Sequence, residues 1–310
     1  MTAPLLLQEL VEPVAQQRGV RLLLLRDDLA HPDLPGNKWR KLKYNLLAAR
    51  EQGHTTLLTF GGAYSNHLAA VAAAGRLYGF HTVGLVRGEE HLPLNPTLAQ
   101  AAADGMALHY LDRATYRHKQ EPAFLATLQR EIGSAYMVPE GGSNVLALPG
   151  CAELVTELAA QTDFDALCVA CGTGGTLAGL LTGLAGTRHA VGVAALKGGS
   201  FLQTDIDTLT QMATGTSYTN WSLQTDYHFG GYASFSPELM LFIRRFQASH
   251  GVLLDPLYTG KLLFGVLQLI DQGYFATGST VVAVHTGGLQ GWRGFRQRYE
   301  TRSSWWPVLT

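Results

Sequence analysis

Short, uninterrupted apolar segments alternating with alanine- and leucine-rich segments constrain the fold of this chain more than any other feature. Seven apolar segments are predicted strands: 56–59, 82–86, 107–111, 135–138, 166–170, 190–194 and 280–285. Seven segments with helical periodicity accompany them: 38–52, 66–78, 98–104, 150–161, 176–184, 236–249 and 261–272. Strands that are apolar at every position are typical of parallel sheets covered on both faces. The alternation therefore predicts an α/β fold built from right-handed crossover units.

The order of these elements predicts two domains rather than one. The strands between about 53 and 138 can form one open twisted sheet, and the remaining strands can form another. The chain would then cross between the sheets near residues 50 and 145. We expect a large domain from residues 1–50 and 146–310 and a smaller inserted α/β domain from 51–145. A cleft between two such domains is a natural ligand site.

Charge and composition exclude several function classes. The 310 residues contain 23 basic and 24 acidic side chains, so the chain lacks the positive charge needed for general binding of nucleic acid or of an anionic membrane surface. Its apolar stretches are too short to cross a bilayer, and its beginning does not resemble a signal peptide. Three cysteines do not make a disulfide framework, which favours a cytoplasmic location.

Two lysines lie at the predicted start of the first long helix. Asn37 is a suitable N-cap, so Lys38 would open the helix and Lys41 would share its face. The positive end of a helix dipole favours the neutral form of an amine, which is the form that Schiff-base formation requires. A solvated basic helix start is the alternative interpretation, and Lys41 could be the reactive amine instead of Lys38.

Two strand-to-helix turns carry polar groups suited to a ligand. After the strand at 56–59, Ser65 and Asn66 would lie at the start of a helix and face a ligand, although this motif taken alone favours a plain helix cap. After the strand at 166–170, a glycine-rich turn can direct backbone N–H groups and hydroxyls at a phosphate or carboxylate. The residues of that turn are Gly172, Thr173, Gly174, Gly175 and Thr176. It matches neither a Walker A loop nor a dinucleotide fingerprint.

The later part of the chain adds three candidates. Thr286 follows a buried strand, at the edge where open α/β sheets bind ligands. Tyr232 lies in a glycine loop and Tyr258 in a turn, and the residues around each, taken alone, favour a half-buried packing residue. Cys168 and Cys171 lie three apart on a predicted strand, so their thiols should point to opposite faces. We therefore expect no redox or metal site there.

Taken in order from about Gly36 to Gly288, these motifs resemble the family of pyridoxal-phosphate (PLP) enzymes that contains D-cysteine desulfhydrase and 1-aminocyclopropane-1-carboxylate (ACC) deaminase. The resemblance implies the tryptophan synthase β-like fold (fold type II), with PLP bound in the large domain. We also expect a homodimer, since extended apolar strands with glycine-rich turns are compatible with an oligomer. It implies that Lys38 bonds covalently to PLP and that Asn66 contacts the ring hydroxyl. The remaining roles that it implies are a phosphate cradle at Gly172, Thr173, Gly174, Gly175 and Thr176, a cofactor contact at Thr286, and catalytic groups at Ser65, Tyr232 and Tyr258.

Two threonines favour one activity within that family. Thr259 and Thr286 stand where ACC deaminases resemble one another in carrying Glu and Leu. A carboxylate beside the pyridine nitrogen makes the ring a stronger electron sink than a hydroxyl does. The resemblance therefore implies a carbon–sulfur lyase or deaminase that converts D-cysteine to pyruvate, sulfide and ammonia. ACC deaminase, an amino-acid racemase and a non-catalytic binder of a phosphorylated small molecule are the alternatives.

Overall fold

The computed structural model describes residues 5–31 and 33–298 and contains ten strands within them. The strands are β1 (Leu7–Glu9), β2 (Arg21–Leu25), β3 (Thr56–Gly62), β4 (His81–Arg87), β5 (Met106–Leu111), β6 (Tyr136–Val138), β7 (Ala166–Cys171), β8 (His189–Ala194), β9 (Trp221–Gln224) and β10 (Thr280–Val284). All seven predicted strands are present. The strands β1, β2 and β9 were not predicted.

The strands form two separate sheets, which confirms the predicted α/β architecture. The larger sheet has six strands in the order β1-β2-β10-β7-β8-β9, and the smaller has four in the order β5-β4-β3-β6. Every pairing is parallel except that of β1 with β2. Because parallel strands must be connected by crossovers, both sheets direct their strand ends, and the loops that follow them, to one edge.

Twelve α-helices cover the sheets within the described residues. They are α1 (Pro13–Arg18), α2 (Asn37–Glu51), α3 (Asn66–Tyr78), α4 (Pro96–Ala103), α5 (Arg113–Arg117), α6 (Pro122–Ile132), α7 (Leu148–Ala159), α8 (Gly175–Leu184), α9 (Leu202–Thr214), α10 (Pro237–His250), α11 (Thr259–Asp271) and α12 (Gly291–Arg298). The seven predicted helices correspond to α2, α3, α4, α7, α8, α10 and α11. None of the helices in the described part of the chain is long and apolar enough to span a membrane.

Apolar side chains cover both faces of each sheet. Along β7 every residue is buried, and alternate side chains enter different cores. Cys168 packs with the helices on one face of the large sheet, whereas Cys171 packs with those on the other face. The two thiols therefore diverge, as predicted from strand geometry. Among the described residues no cluster of His, Cys, Asp or Glu could hold a metal ion.

Helix α2 lies between the two sheets and is anchored on both sides. Its buried Leu42 and Leu46 pack into the core of the small sheet. On the opposite side, the buried guanidinium of Arg40 donates to Asp27 Oδ1 at 2.7 Å and to both carboxylate oxygens of Glu157 on α7. The start of α2 is thereby fixed relative to both sheets. The limits proposed for the two domains, 1–50 with 146–310 and 51–145, stay a prediction.

Candidate active site

A cleft of about 1380 Å³ opens where the carboxyl ends of the parallel strands in the two sheets face each other. Loops that follow β3 in the small sheet and β7 and β10 in the large sheet form its walls. This is the edge at which open α/β sheets bind ligands. Of the residues predicted from the sequence to form the site, all line the cleft except Gly175, which is buried behind Ser143.

The two lysines of α2 differ sharply in their hydrogen bonding. Lys41 Nζ donates to the carbonyl oxygen of Gly141 at 2.9 Å and to Ser143 Oγ at 3.0 Å. Lys38 has no hydrogen-bond or ion-pair partner among the described residues, and its side chain lines the cleft. Loss of solvent and repulsion from Lys41 lower the pKa of Lys38 to about 7. Burial also lowers the pKa of Lys41, to about 8, so the two amines differ mainly in that Lys41 is held by two hydrogen bonds and Lys38 by none among the described residues.

The start of α2 differs from its predicted form. Asn37 was predicted to be the N-cap, but Gly36 occupies that position and Asn37 is the first helical residue. Gly36 has φ +65°, and a Cβ there would lie 2.0 Å from the carbonyl oxygen of Thr286. Because Asn37 is not the N-cap, its side chain can donate instead to Thr176 Oγ1, at 2.9 Å. This bond joins the lysine-bearing helix to the glycine turn, a contact that local sequence preference does not specify.

The glycine turn after β7 leaves the N-terminus of α8 open to a ligand. Gly174 has φ +76°, and no side chain caps the first N–H groups of α8. Hydroxyls of Ser143 and Thr173, 2.6 Å apart, stand beside these groups. A Cβ at Gly175 would lie 2.3 Å from Ser143 Oγ. Unpaired backbone donors at the positive end of a helix form an anion site, and glycine keeps the hydroxyls close to it.

The loop after β3 presents a hydroxyl and an amide to the same cleft. Ser65 is the N-cap of α3, and its Oγ accepts from the backbone N–H groups of His67 and Leu68. The adjacent Asn66 has a buried Oδ1 that lacks a partner among the described residues. A buried carbonyl oxygen without a donor is costly, so a bound donor would stabilise it. The Asn66 amide also faces Gly288, where a Cβ would lie 3.1 Å from its Nδ2.

The two predicted tyrosines, Tyr232 and Tyr258, contact each other and line the cleft. The ring centroids of Tyr232 and Tyr258 are 6.1 Å apart. Tyr258 packs against the glycine turn, because a Cβ at Gly172 would lie 3.0 Å from its Cε1. Burial raises the pKa of both phenols. Both hydroxyls are therefore protonated at neutral pH, a state suited to donating a proton and not to removing one.

Thr259 and Thr286, the two threonines that favoured a desulfhydrase over an ACC deaminase, have different surroundings. Thr259 Oγ1 donates to Asp255 Oδ2 at 2.6 Å and accepts from the Asp255 backbone N–H, so its only proton is used within the cap of α11. The Thr286 hydroxyl lines the cleft and has no partner among the described residues. Thr286 is thus the hydroxyl at the end of β10 that can still donate to a ligand.

Two residues that the sequence interpretation did not name organise the site. Ser143 links Lys41 to Thr173 through its hydroxyl, and it directly follows the glycine pair 141–142. Asp255 is fully buried and accepts four hydrogen bonds that form the start of α11. An Asp-Pro pair just before a helix is a capping signal that could have identified it. His67 and His285 are both buried in the scaffold of the site.

Comparison with known proteins agrees with this geometry. The family described as "Pyridoxal-phosphate dependent enzyme" matches residues 5–287. An Arabidopsis thaliana bifunctional D-cysteine desulfhydrase/1-aminocyclopropane-1-carboxylate deaminase is 30% identical, with 88% of this chain and 73% of that protein covered. A Klebsiella pneumoniae D-cysteine desulfhydrase is 29% identical, with 90% of each chain covered.

A solved structure supports the same assignment. The crystal structure of an ACC deaminase homologue superposes with a TM-score of 0.85 at 29% identity and covers 96% of this chain and 94% of its own. The fold of that protein is thus shared along nearly the whole length of both chains. This chain belongs to the pyridoxal-phosphate dependent enzyme family, in the group that contains ACC deaminase and D-cysteine desulfhydrase.

Proposed function

We propose that the enzyme eliminates a leaving group from the β-carbon of a small amino acid, with D-cysteine as the reference substrate. One D-cysteine and one water would give pyruvate, hydrogen sulfide and ammonia, through loss of the Cα proton and cleavage of the Cβ–S bond. The observation that carries the proposal is the free amine of Lys38 in the same cleft as the Thr286 hydroxyl, in a chain that carries Thr259 and not Glu at the position where the resemblance places the carboxylate of ACC deaminases. A neutral hydroxyl suits the loss of a good leaving group better than the opening of a strained ring.

The residues of the cleft fit PLP, the cofactor of the family. The uncapped start of α8 and the Thr173 hydroxyl suit its phosphate, and the unpaired Asn66 Oδ1 suits its ring hydroxyl. Lys38 suits its aldehyde and Thr286 its ring nitrogen. Bound PLP supplies an aldehyde that captures amines and a ring that withdraws electrons from Cα. These four assignments are part of the proposal.

Lys38 is the proposed base, and the tyrosines are proposed proton donors. An amine with a pKa of about 7 is poised to accept a proton at neutral pH. The raised pKa values of Tyr232 and Tyr258 keep both phenols protonated at neutral pH, so that they hold a proton for a departing group and cannot act as the base. The Ser65 hydroxyl keeps its proton while accepting two backbone N–H groups, so it can donate to the substrate carboxylate.

A substrate panel tests the proposed elimination. Purified holoenzyme is incubated with D-cysteine, L-cysteine, ACC, D-serine and β-chloroalanine in separate reactions, and 2-oxo acid and ammonia are measured. We expect pyruvate from D-cysteine and β-chloroalanine and little product from ACC. Production of 2-oxobutyrate from ACC at the highest rate would favour the deaminase. If the reactions are run in D₂O, incorporation of deuterium at Cα with inversion of configuration and without pyruvate would establish a racemase.

The capture of PLP by the apoenzyme is expected to accelerate as the pH rises through about 7 and then to level off. Only the neutral form of an amine attacks an aldehyde, and the lowered pKa of Lys38 makes that form abundant above this pH. Stopped-flow absorbance of apoenzyme mixed with PLP measures the rate. The same reaction with N-acetyl-lysine amide should keep accelerating toward the ordinary lysine pKa of ~10.4. Equal rates at pH 6 and pH 8 would contradict the role of Lys38.

We also propose a homodimer in the cytoplasm. The location rests on three cysteines that are free and buried, which agrees with a reducing compartment, and the dimer rests on the extended apolar strands with glycine-rich turns. Sedimentation equilibrium of the holoenzyme should give about twice the chain mass of 33.5 kDa. A single-chain mass at micromolar concentration would exclude the dimer.

A further inference from the structure

Four cationic side chains gather at the carboxyl edge of the small sheet. Arg87 ends β4, Arg113 and Arg117 lie on α5 directly after β5, and Lys119 follows that helix. Positions 113 and 117 are four apart and therefore share one face of α5. All four residues line the cleft. Because the chain as a whole carries a net charge of −1, this concentration of positive charge is specific to the site.

Only one of the four cations has an acidic partner among the described residues. Lys119 Nζ lies 3.4 Å from Glu140 Oε2, and the other oxygen of Glu140 accepts from the Tyr116 hydroxyl at 2.8 Å. Arg87 stacks over the Tyr116 ring, 5.8 Å from its centroid, which orients the guanidinium without neutralising it. In residues 5–31 and 33–298, no carboxylate pairs with Arg87, Arg113 or Arg117.

Arg87 lies close to the groups that the substrate is proposed to contact. A Cβ at Gly62 would lie 3.6 Å from Arg87 Nη2, and the Gly62 carbonyl oxygen accepts from the Ser65 backbone N–H at 2.9 Å. On the other side, burial raises the pKa of Tyr232, and the positive charge of Arg87 acts in the opposite direction. Arg87 therefore adjoins the Ser65 loop, and its positive charge opposes the rise in the pKa of Tyr232.

The position of Arg87 differs from that of Lys41, the cation beside the proposed site of the cofactor phosphate. Lys41 is bonded to Gly141 and Ser143 beside the glycine turn of the large sheet, where the phosphate of PLP is proposed to lie. Arg87 instead belongs to the facing sheet, in register with Gly62 on β3. The phosphate of the cofactor therefore does not account for the positive charge on the small sheet.

We propose that Arg87, assisted by Arg113 and Arg117, binds a second acidic group on the amino-acid substrate, a carboxylate, phosphate or sulfonate attached at or beyond Cβ. This inference rests on the proposed elimination and narrows its substrate class. A guanidinium makes two parallel hydrogen bonds to such a group, and the neighbouring arginines add attraction over a longer range. D-Cysteine, with one carboxylate and a thiol, would then be a poorer substrate than an acidic relative.

Three acidic substrates distinguish the possible groups. O-Phosphoserine would lose the Cα proton and phosphate, and cysteate would lose the Cα proton and sulfite; with one water, each also gives pyruvate and ammonia. 3-Hydroxyaspartate would lose the Cα proton and hydroxide, giving oxaloacetate and ammonia after the water is returned. Both enantiomers of O-phosphoserine and cysteate, and all four stereoisomers of 3-hydroxyaspartate, are assayed beside cysteine and serine. We expect kcat/KM for at least one acidic substrate to exceed that for the matching neutral one by about 10-fold or more.

Arg87→Gln is the decisive variant, and Arg130→Gln is its control. Arg130 is an exposed arginine of α6 outside the cleft, hydrogen-bonded to Thr127. We expect Arg87→Gln to lower kcat/KM for the preferred acidic substrate by about 10- to 100-fold and for neutral substrates by less than about 3-fold. The Arg113→Gln/Arg117→Gln double variant should show a smaller loss that added salt reproduces. Equal losses on acidic and neutral substrates in Arg87→Gln would overturn the proposal.

A binding measurement separates this inference from the proposed reaction. Isothermal titration of the holoenzyme compares glutarate, which has two carboxylates, with butyrate, which has one. We expect glutarate to bind about 10-fold more tightly and Arg87→Gln to remove the difference. If no amino acid is turned over but this difference is present, the elimination fails and the anion subsite stands. If glutarate and butyrate bind alike, the subsite is wrong whatever the activity.

Discussion

Lys38→Ala is expected to lower kcat/KM by at least about 10³-fold with every amino-acid substrate. The variant loses both the amine that bonds to PLP and the proposed base at Cα. The other two lysines that line the cleft in the described part of the chain are held elsewhere, because Lys41 is bonded to Gly141 and Ser143 and Lys119 pairs with Glu140 on the small-sheet side. Steady-state assays and the visible spectrum of the purified variant measure the two losses separately.

Lys41→Met is the matched control for this variant. It removes a lysine one helical turn away and leaves the reactive amine in place. We expect this variant to keep a covalent bond to PLP while losing stability, because Gly141 and Ser143 lose a charged donor. If Lys38→Ala retained the visible band and Lys41→Met lost it, the roles of the two lysines would have to be exchanged.

Asp255→Ala is expected to lower the free energy of unfolding by about 3–5 kcal/mol. The carboxylate is fully buried and accepts from the backbone N–H groups of Leu257, Tyr258 and Thr259 and from the Thr259 hydroxyl. Alanine leaves these donors without an acceptor inside the protein. Urea unfolding of the apoenzyme, followed by circular dichroism, measures the change.

Asp271→Ala provides the control for Asp255→Ala at the other end of α11. Its carboxylate is 60% exposed and lies 3.6 Å from the exposed Arg18. Exposed pairs contribute little, so we expect a change within about 0.5 kcal/mol. Asp255→Asn should fall between the two, because an amide oxygen can replace only one of the two carboxylate oxygens. A loss below about 1 kcal/mol in Asp255→Ala would show that the cap is not needed for stability.

The fold could be predicted wherever the residues of a segment determine its secondary structure by themselves. The strand β7 is buried at every residue, and such an apolar run has few alternatives. The edge strand β9 contains Ser222 and Gln224, so its sequence resembles a loop, and only its pairing with β8 makes it a strand. Helix α9 was missed for a similar reason. Polar residues occupy most of it, and its few apolar side chains are buried only because the helix packs against α8.

The candidate site, like the fold, could be predicted only where short segments determine its structure. The glycine turn and the Ser65 cap are local structures, and their sequences suffice to predict them. The distinction between Lys38 and Lys41 is not local, since Ser143, which helps to hold Lys41, is 102 residues away in the chain. Asn37 shows the same limit, because a partner on α8 competes successfully for its side chain. Contacts of this kind depend on how the two sheets face each other, which no short motif encodes.

The site of covalent attachment tests the role of Lys38 most directly. The holoenzyme is reduced with borohydride, digested with trypsin and mapped by mass spectrometry. Trypsin does not cut after a modified lysine, so a label on Lys38 should appear in the peptide 27–40. A label on Lys41 would instead appear in the peptide 41–43. We expect the label at Lys38 in essentially all of the protein; a label at Lys41, or none at either lysine, would contradict the assignment.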